Sequence, residues 1–125
     1  CIHINCHSMP AVAASHATEF PGMEHPDFVI GDRDGTTAHP ALTRWMADYL
    51  QAQGHSVHIN HPYKGVEIVR RHGLPSQHRH SIQLEVNRRL YMDEVTLEPH
   101  EGFGPLKLLL LDFVRELLSL DPRRL

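Results

Sequence analysis

The chain has 125 residues, 12 basic and 15 acidic side chains, a formal charge of −3 and 41% hydrophobic residues. That length suits one domain or part of one, and the slight acidity excludes the basic surface that nucleic acid or an anionic membrane would require. No apolar run approaches the roughly 20 residues of a membrane span and no charged-then-apolar leader is present, so a soluble chain without a membrane partner is expected.

Cys1 to Cys6 alternates as a strand and reads as the middle of a buried one. It closes at His7-Ser8-Met9-Pro10, where proline ends the ladder. The two cysteines fall on opposite faces of that strand and cannot easily bridge each other, which points to a reducing, cytoplasmic setting. Ala11 to Asp27 is small, polar and broken by Pro21, Gly22 and Pro26, the composition of a surface loop. Phe28-Val29-Ile30 is a second, buried strand. It runs into Gly31-Asp32-Arg33-Asp34-Gly35, a tight turn that brings Arg33 to the strand's end.

Leu42, Trp45, Met46, Tyr49 and Leu50 recur at helical spacing, with Pro40 suited to the first turn and Gly54 to the position just past the end. Trp45 and Met46 are therefore core residues. Ser56 to Asn60 alternates as a third strand, and His61 to Gly65 turns away from it. The Gly65 to Gly73 stretch, which carries Arg70 and Arg71, is open between a short strand and a helical turn. Leu74 to His80 reads as a loop whose histidines, with His72, are surface groups: their spacing lacks the regularity of a zinc site. From Gly104-Pro105 a helix runs to Asp121-Pro122, with Leu106, Leu109, Leu110, Phe113, Val114, Leu117 and Leu118 on a face that must pack on the sheet.

The most informative stretch is Ser81 to Glu94. Ile82, Leu84 and Val86 face one side of a strand, while Gln83, Glu85 and Asn87 face the other. A carboxylate is thus carried inward near a strand's carboxyl end, where open α/β sheets place their ligand crevices. Glu85 is the first candidate for chemistry, with a structural Glu–Arg pair as the equally open alternative. Ser8 beside His7 suggests a nucleophile, but neighbours in a strand point to opposite faces. Strands alternating with helices predict an α/β fold with a mostly parallel, mixed sheet and helices on both faces. Twelve histidines add a further property: half-protonation near pH 6.5 would add about six charges and reverse the sign of the molecule.

Four segments together carry a resemblance: Asn5 to Pro10, Gly31 to Thr36, His61 to Gly65, and Glu85 to Glu94. In this order they resemble the successive motifs of the N-formylglutamate amidohydrolase family, over the second half of its domain only. The resemblance implies a three-layer α/β/α sandwich of the phosphorylase/hydrolase and zinc carboxypeptidase type. Residues 1–125 would be the C-terminal part of one amidohydrolase domain, itself incomplete. It implies Zn2+ as cofactor and hydrolysis of the formyl amide of N-formyl-L-glutamate, or a similar small acidic N-acyl amino acid, as in histidine degradation. On the matching positions His7 is a metal ligand and Glu85 the general base. Arg33 and Arg70 are forks for substrate carboxylates, and Asn87 and Arg88 assist there or hold Glu85 in place. The remaining ligands would come from a missing N-terminal segment or another subunit.

Two departures from the family pattern bear on this. Asn5 stands where the family more often has Asp, which removes a charge two residues from the ligand. Arg71 occupies a usual histidine position and Val66 a usual glycine, which leaves open another zinc deacylase or carboxypeptidase-like substrate, or an inactive, histidine-rich binding domain.

Overall fold

The structure is a computed structural model describing residues 1–15 and 20–124. Four strands, β1 (Ile2–Met9), β2 (Phe28–Gly31), β3 (Val57–Ile59) and β4 (His80–Asn87), form one sheet in the order β1-β4-β2-β3. β1 runs parallel to β4 and β2 parallel to β3, while β4 and β2 are antiparallel. The sheet is mixed and mostly parallel, as expected. β4 is central, and its register sets His7 opposite Glu85.

Three α-helices, α1 (Pro40–Ala52), α2 (Glu67–His72) and α3 (Phe103–Ser119), cover the sheet. The α1 boundaries follow from local chemistry. The His39 side chain accepts from the Ala41 N–H, Pro40 needs no donor, and the chain leaves through Gly54 at φ 88°. The N–H groups of Gly54 and His55 reach back to the Gln51 and Leu50 carbonyls, closing the helix in a Schellman motif. α1 and α3 share one face of the sheet, where Phe28, Ile30, Leu42, Met46, Leu50, Ile82, Leu84, Leu106, Phe113 and Leu117 form the core. The Phe113 ring lies 5.4 Å from Tyr49 and 5.6 Å from Trp45, between centroids. α2, which resolves the open Gly65–Gly73 stretch as helix, lies on the opposite face with Val69 buried.

The turn after β2 is built differently from its sequence signature. Positive φ falls on Arg33 and Asp34, at 53° and 58°, before Gly35 at 80°. Gly31 is required for space: a Cβ there would lie 2.6 Å from the Lys64 backbone carbon. Asp32 offsets the strain of this left-handed run by accepting from Gly35 N–H, the Asn60 amide and the Thr43 hydroxyl at 2.8, 2.7 and 2.6 Å.

Several expectations are corrected. Among the described residues β1 pairs only with β4, and Cys6, His7 and Ser8 are exposed, so the stretch from Cys1 is not buried as expected. The stretch from Leu74 holds a 3-10 turn (Pro75–Gln77), and His80 begins β4. His80 is not a surface group: it is buried, accepting from His39 N–H through Nδ1 and lying 3.1 Å from the Pro122 carbonyl through Nε2. Within the expected surface loop, Ala13 and His25 are buried and Val12 bridges Glu24, while residues 16–19 lie outside the described residues. On α3, Val114 and Leu118 are 47% and 79% exposed, so the apolar face is wider than the sheet it packs on. Part of that excess lines a groove of about 450 Å³ between α3 and the β1 edge, with Ser8, Val86, Tyr91 and Leu110. Among the described residues no helix is long and apolar enough to cross a membrane.

Candidate active site

Strand alternation puts Ser81, Gln83, Glu85 and Asn87 on the face away from α1 and α3, and all four are buried. A buried polar side chain must find partners, and each does. Asn87 donates to the His25 and Pro26 carbonyls at 3.2 and 3.0 Å and accepts from Arg89 N–H at 3.1 Å. Its amide hydrogens are thereby committed, which favours the holding role over substrate contact.

Glu85 is the ionisable member of this buried row. It is 5% exposed, and its Oε1 accepts from the Gln83 amide at 2.6 Å and lies 3.5 Å from His7 Nδ1. Burial pushes its pKa above the ordinary carboxylate value, against the pull of His7, Gln83, His25 and Arg88. Among the described residues Oε2 has no hydrogen-bond partner. A carboxyl group made a better proton acceptor by burial, with one oxygen held and the other open, is suited to shuttling a proton.

Of the other expected residues, Arg88 is brought to this site. Its Nε donates to Ser8 Oγ at 3.2 Å, its Nη1 lies 3.9 Å from Glu94, and its charge reaches Glu85 and Tyr63. Arg33 and Arg70 gather elsewhere. Arg33 donates through Nη1 to the Gly65 carbonyl at 2.9 Å, and Arg70 donates through Nε to Glu67 at 2.7 Å on the exposed side of α2. Both guanidinium groups act on Glu67, whose carboxyl is held below its usual range, first by the Arg70 hydrogen bond.

Two residues at the site were not singled out by sequence reasoning. Tyr63 is held protonated beyond the usual phenol range by burial and then by the charge of Glu85, so it presents a donor. His25 is buried with its ring 5.4 Å from Tyr63, and Nδ1 lies 2.7 Å from the Pro10 carbonyl. A carbonyl only accepts, so Nδ1 carries a hydrogen. Tyr63 could have been found in its His61-Pro62-Tyr63-Lys64-Gly65 motif; His25 sits in a stretch whose composition reads as solvent-facing loop.

For zinc, His7 offers an accessible imidazole, 42% exposed, at the right end of a strand. A catalytic zinc takes three protein ligands, and among the described residues no group of three His, Cys, Asp or Glu converges to hold one. The donor set fits one ligand of a zinc site and does not complete it.

The fold is α/β, and the site is a buried carboxylate beside an imidazole at the carboxyl end of two parallel strands, the equipment of proton transfer. Residues 1–92 match the N-formylglutamate amidohydrolase family, and the chain belongs to that family. It is similar to the N-formylglutamate deformylase of Pseudomonas aeruginosa, 43% identical over 81 residues, and to that of Pseudomonas putida, 37% identical over 81 residues. Each match covers 64% of this chain and 30% of the relative. The crystal structure of N-formylglutamate amidohydrolase from Ralstonia eutropha JMP134 superposes with a TM-score of 0.81 at 42% identity, over 90% of this chain and 41% of that one. The matched stretches therefore span 30% to 41% of the length of these relatives.

Proposed function

We propose that this chain carries the base-bearing part of an amidohydrolase that cleaves the formyl amide of N-formyl-L-glutamate, or of a similar small acidic N-acyl amino acid, to formate and the free amino acid. The observation that carries the reading is Glu85, buried against His7 within the family's motif, with an open oxygen and a raised pKa. Glu85 takes the proton of the attacking water and returns it to the leaving nitrogen. Tyr63, kept protonated, and Arg88 supply positive potential where the carbonyl oxygen gains charge. Bound zinc, with His7 as one ligand and the others contributed from outside the described residues, would supply an acidified water and a polarised carbonyl. Arg33 and Arg70 remain the candidate forks for the substrate carboxylates.

Glu85→Gln tests this. It keeps the acceptor for Gln83 and removes the base, so formate release should fall by roughly 10²- to 10⁴-fold with binding retained. Turnover undiminished by that change would remove Glu85 from the chemistry. The incomplete metal donor set among the described residues favours a second reading, a catalytically inactive, histidine-rich domain that binds acidic amino acids without turnover. Calorimetric binding of N-formyl-L-glutamate without formate release, even with added zinc, would select it.

A further inference from the structure

We propose that Gln83 is the positioning residue of Glu85, locked in one orientation by Asn5 and by the Val66 backbone so that it holds one carboxylate oxygen and leaves the other to react. The inference rests on the reading of Glu85 as the base. Gln83 is 2% exposed on the central strand. Its Oε1 accepts from the Val66 N–H at 3.0 Å and from Asn5 Nδ2 at 3.2 Å, and its Nε2 donates to Glu85 Oε1 at 2.6 Å. A backbone N–H can only donate, so the group facing Val66 must be the amide oxygen. Turning the amide over would set N–H against N–H at Val66 and oxygen against oxygen at Glu85. Both contacts would be repulsive in a site closed to water.

Asn5 adds to the lock. Its amide supplies a second donor to the same oxygen, whereas an ionised aspartate there would supply only acceptors and attract the NH₂ end of Gln83 away from Glu85. The loss of charge at position 5 thus acts through Gln83. Gln83 also ties Glu85 to the start of α2, because Val66 caps that helix after Gly65 has turned the chain at φ 107°. Gln83 thus links the base directly to the arginine-bearing helix.

The test has two parts that fail separately. In zinc-supplemented assays with N-formyl-L-glutamate, Gln83→Met and Gln83→Glu are each expected to lower kcat by roughly ten- to hundredfold with KM within about twofold, the signature of a misplaced reacting group. Gln83→Glu keeps an acceptor for Val66 and Asn5 but replaces the donor to Glu85 with a second carboxylate and its charge, so it is read beside Gln83→Met, which removes the donor without adding charge. A parent kcat in both variants overturns the proposal. The second part needs no turnover. In NMR spectra of the 125-residue chain, one Gln83 side-chain amide proton should lie downfield and exchange slowly, and should return to an ordinary position in Glu85→Ala. An amide pair unmoved by Glu85→Ala overturns the proposal as well. Absence of hydrolysis when the remaining zinc ligands are also supplied counts against the function proposed above, while the amide resonance still decides for or against Gln83.

Discussion

The two faces of β4 are built from alternate residues of one eight-residue strand, yet they are held by different physics. Ile82 and Leu84 lie in a continuous apolar core under α1 and α3. Ser81, Gln83, Glu85 and Asn87 are equally buried but depend on directional bonds: His3 and Ser81, Asn5 and Gln83, Gln83 and Glu85, Asn87 and two carbonyls. Area-based burial is forgiving of orientation and stabilises in proportion to surface, whereas a polar network fixes geometry and adds little net stability. The first face supports the fold; the second sets the site.

That contrast makes a ranked set of expectations. Leu84→Ala should cost the most stability, about 2–5 kcal/mol, since it empties a site inside the core. Denaturant titration measures this, and a loss below 1 kcal/mol would mean that the core is looser than its burial implies. Asn87→Ala strips two buried carbonyls of their donor and should cost about 1–3 kcal/mol. A cost equal to that of Leu84→Ala would erase the distinction between the faces.

Asp27 gives the pH dependence. Burial pushes its carboxyl up, but the Arg89 guanidinium, the His55 ring and the Ser56 N–H together hold it below the ordinary 3.8. A depressed carboxylate stabilises the fold above that value, and the contribution is lost as pH falls through the lower folded pKa. The stability gap between the parent chain and Asp27→Asn should therefore be open at neutral pH and close in acid. A gap unchanged down to the acid limit would contradict this network. Smallest of all, Leu118→Lys should change stability by less than about 0.5 kcal/mol, because Leu118 already faces water. A larger loss in thermal melts would show that something covers this end of α3.

Much of this was legible before the structure. Apolar spacing found α1 and α3, alternation placed Glu85 on the face away from the core, and the motif order pointed to the family. What could not be read depends on register and long-range approach. Asn5 meets Gln83 only because β1 aligns residue for residue beside β4. Burial of His25 and His80 follows from loops that fold over the sheet, which composition alone assigns to water. Helical periodicity likewise identified the apolar face of α3 but not its coverage: seven residues share that face, and Val114 and Leu118 stay exposed. At the Gly31–Gly35 turn, glycine signals located the bend while Arg33 and Asp34 adopt its left-handed backbone.

The place of β4 in the sheet also bears on how the chain reaches this state. β1 and β2 are made early in the sequence but do not touch; they are joined only when β4 inserts between them, its partner residues in β1 lying 78 positions away. Closing so long a loop carries a larger entropic cost than shorter closures do. The raised pKa of Glu85 comes first from burial, so the acidity of the site is a property of the assembled sheet and not of the segment that carries the residue.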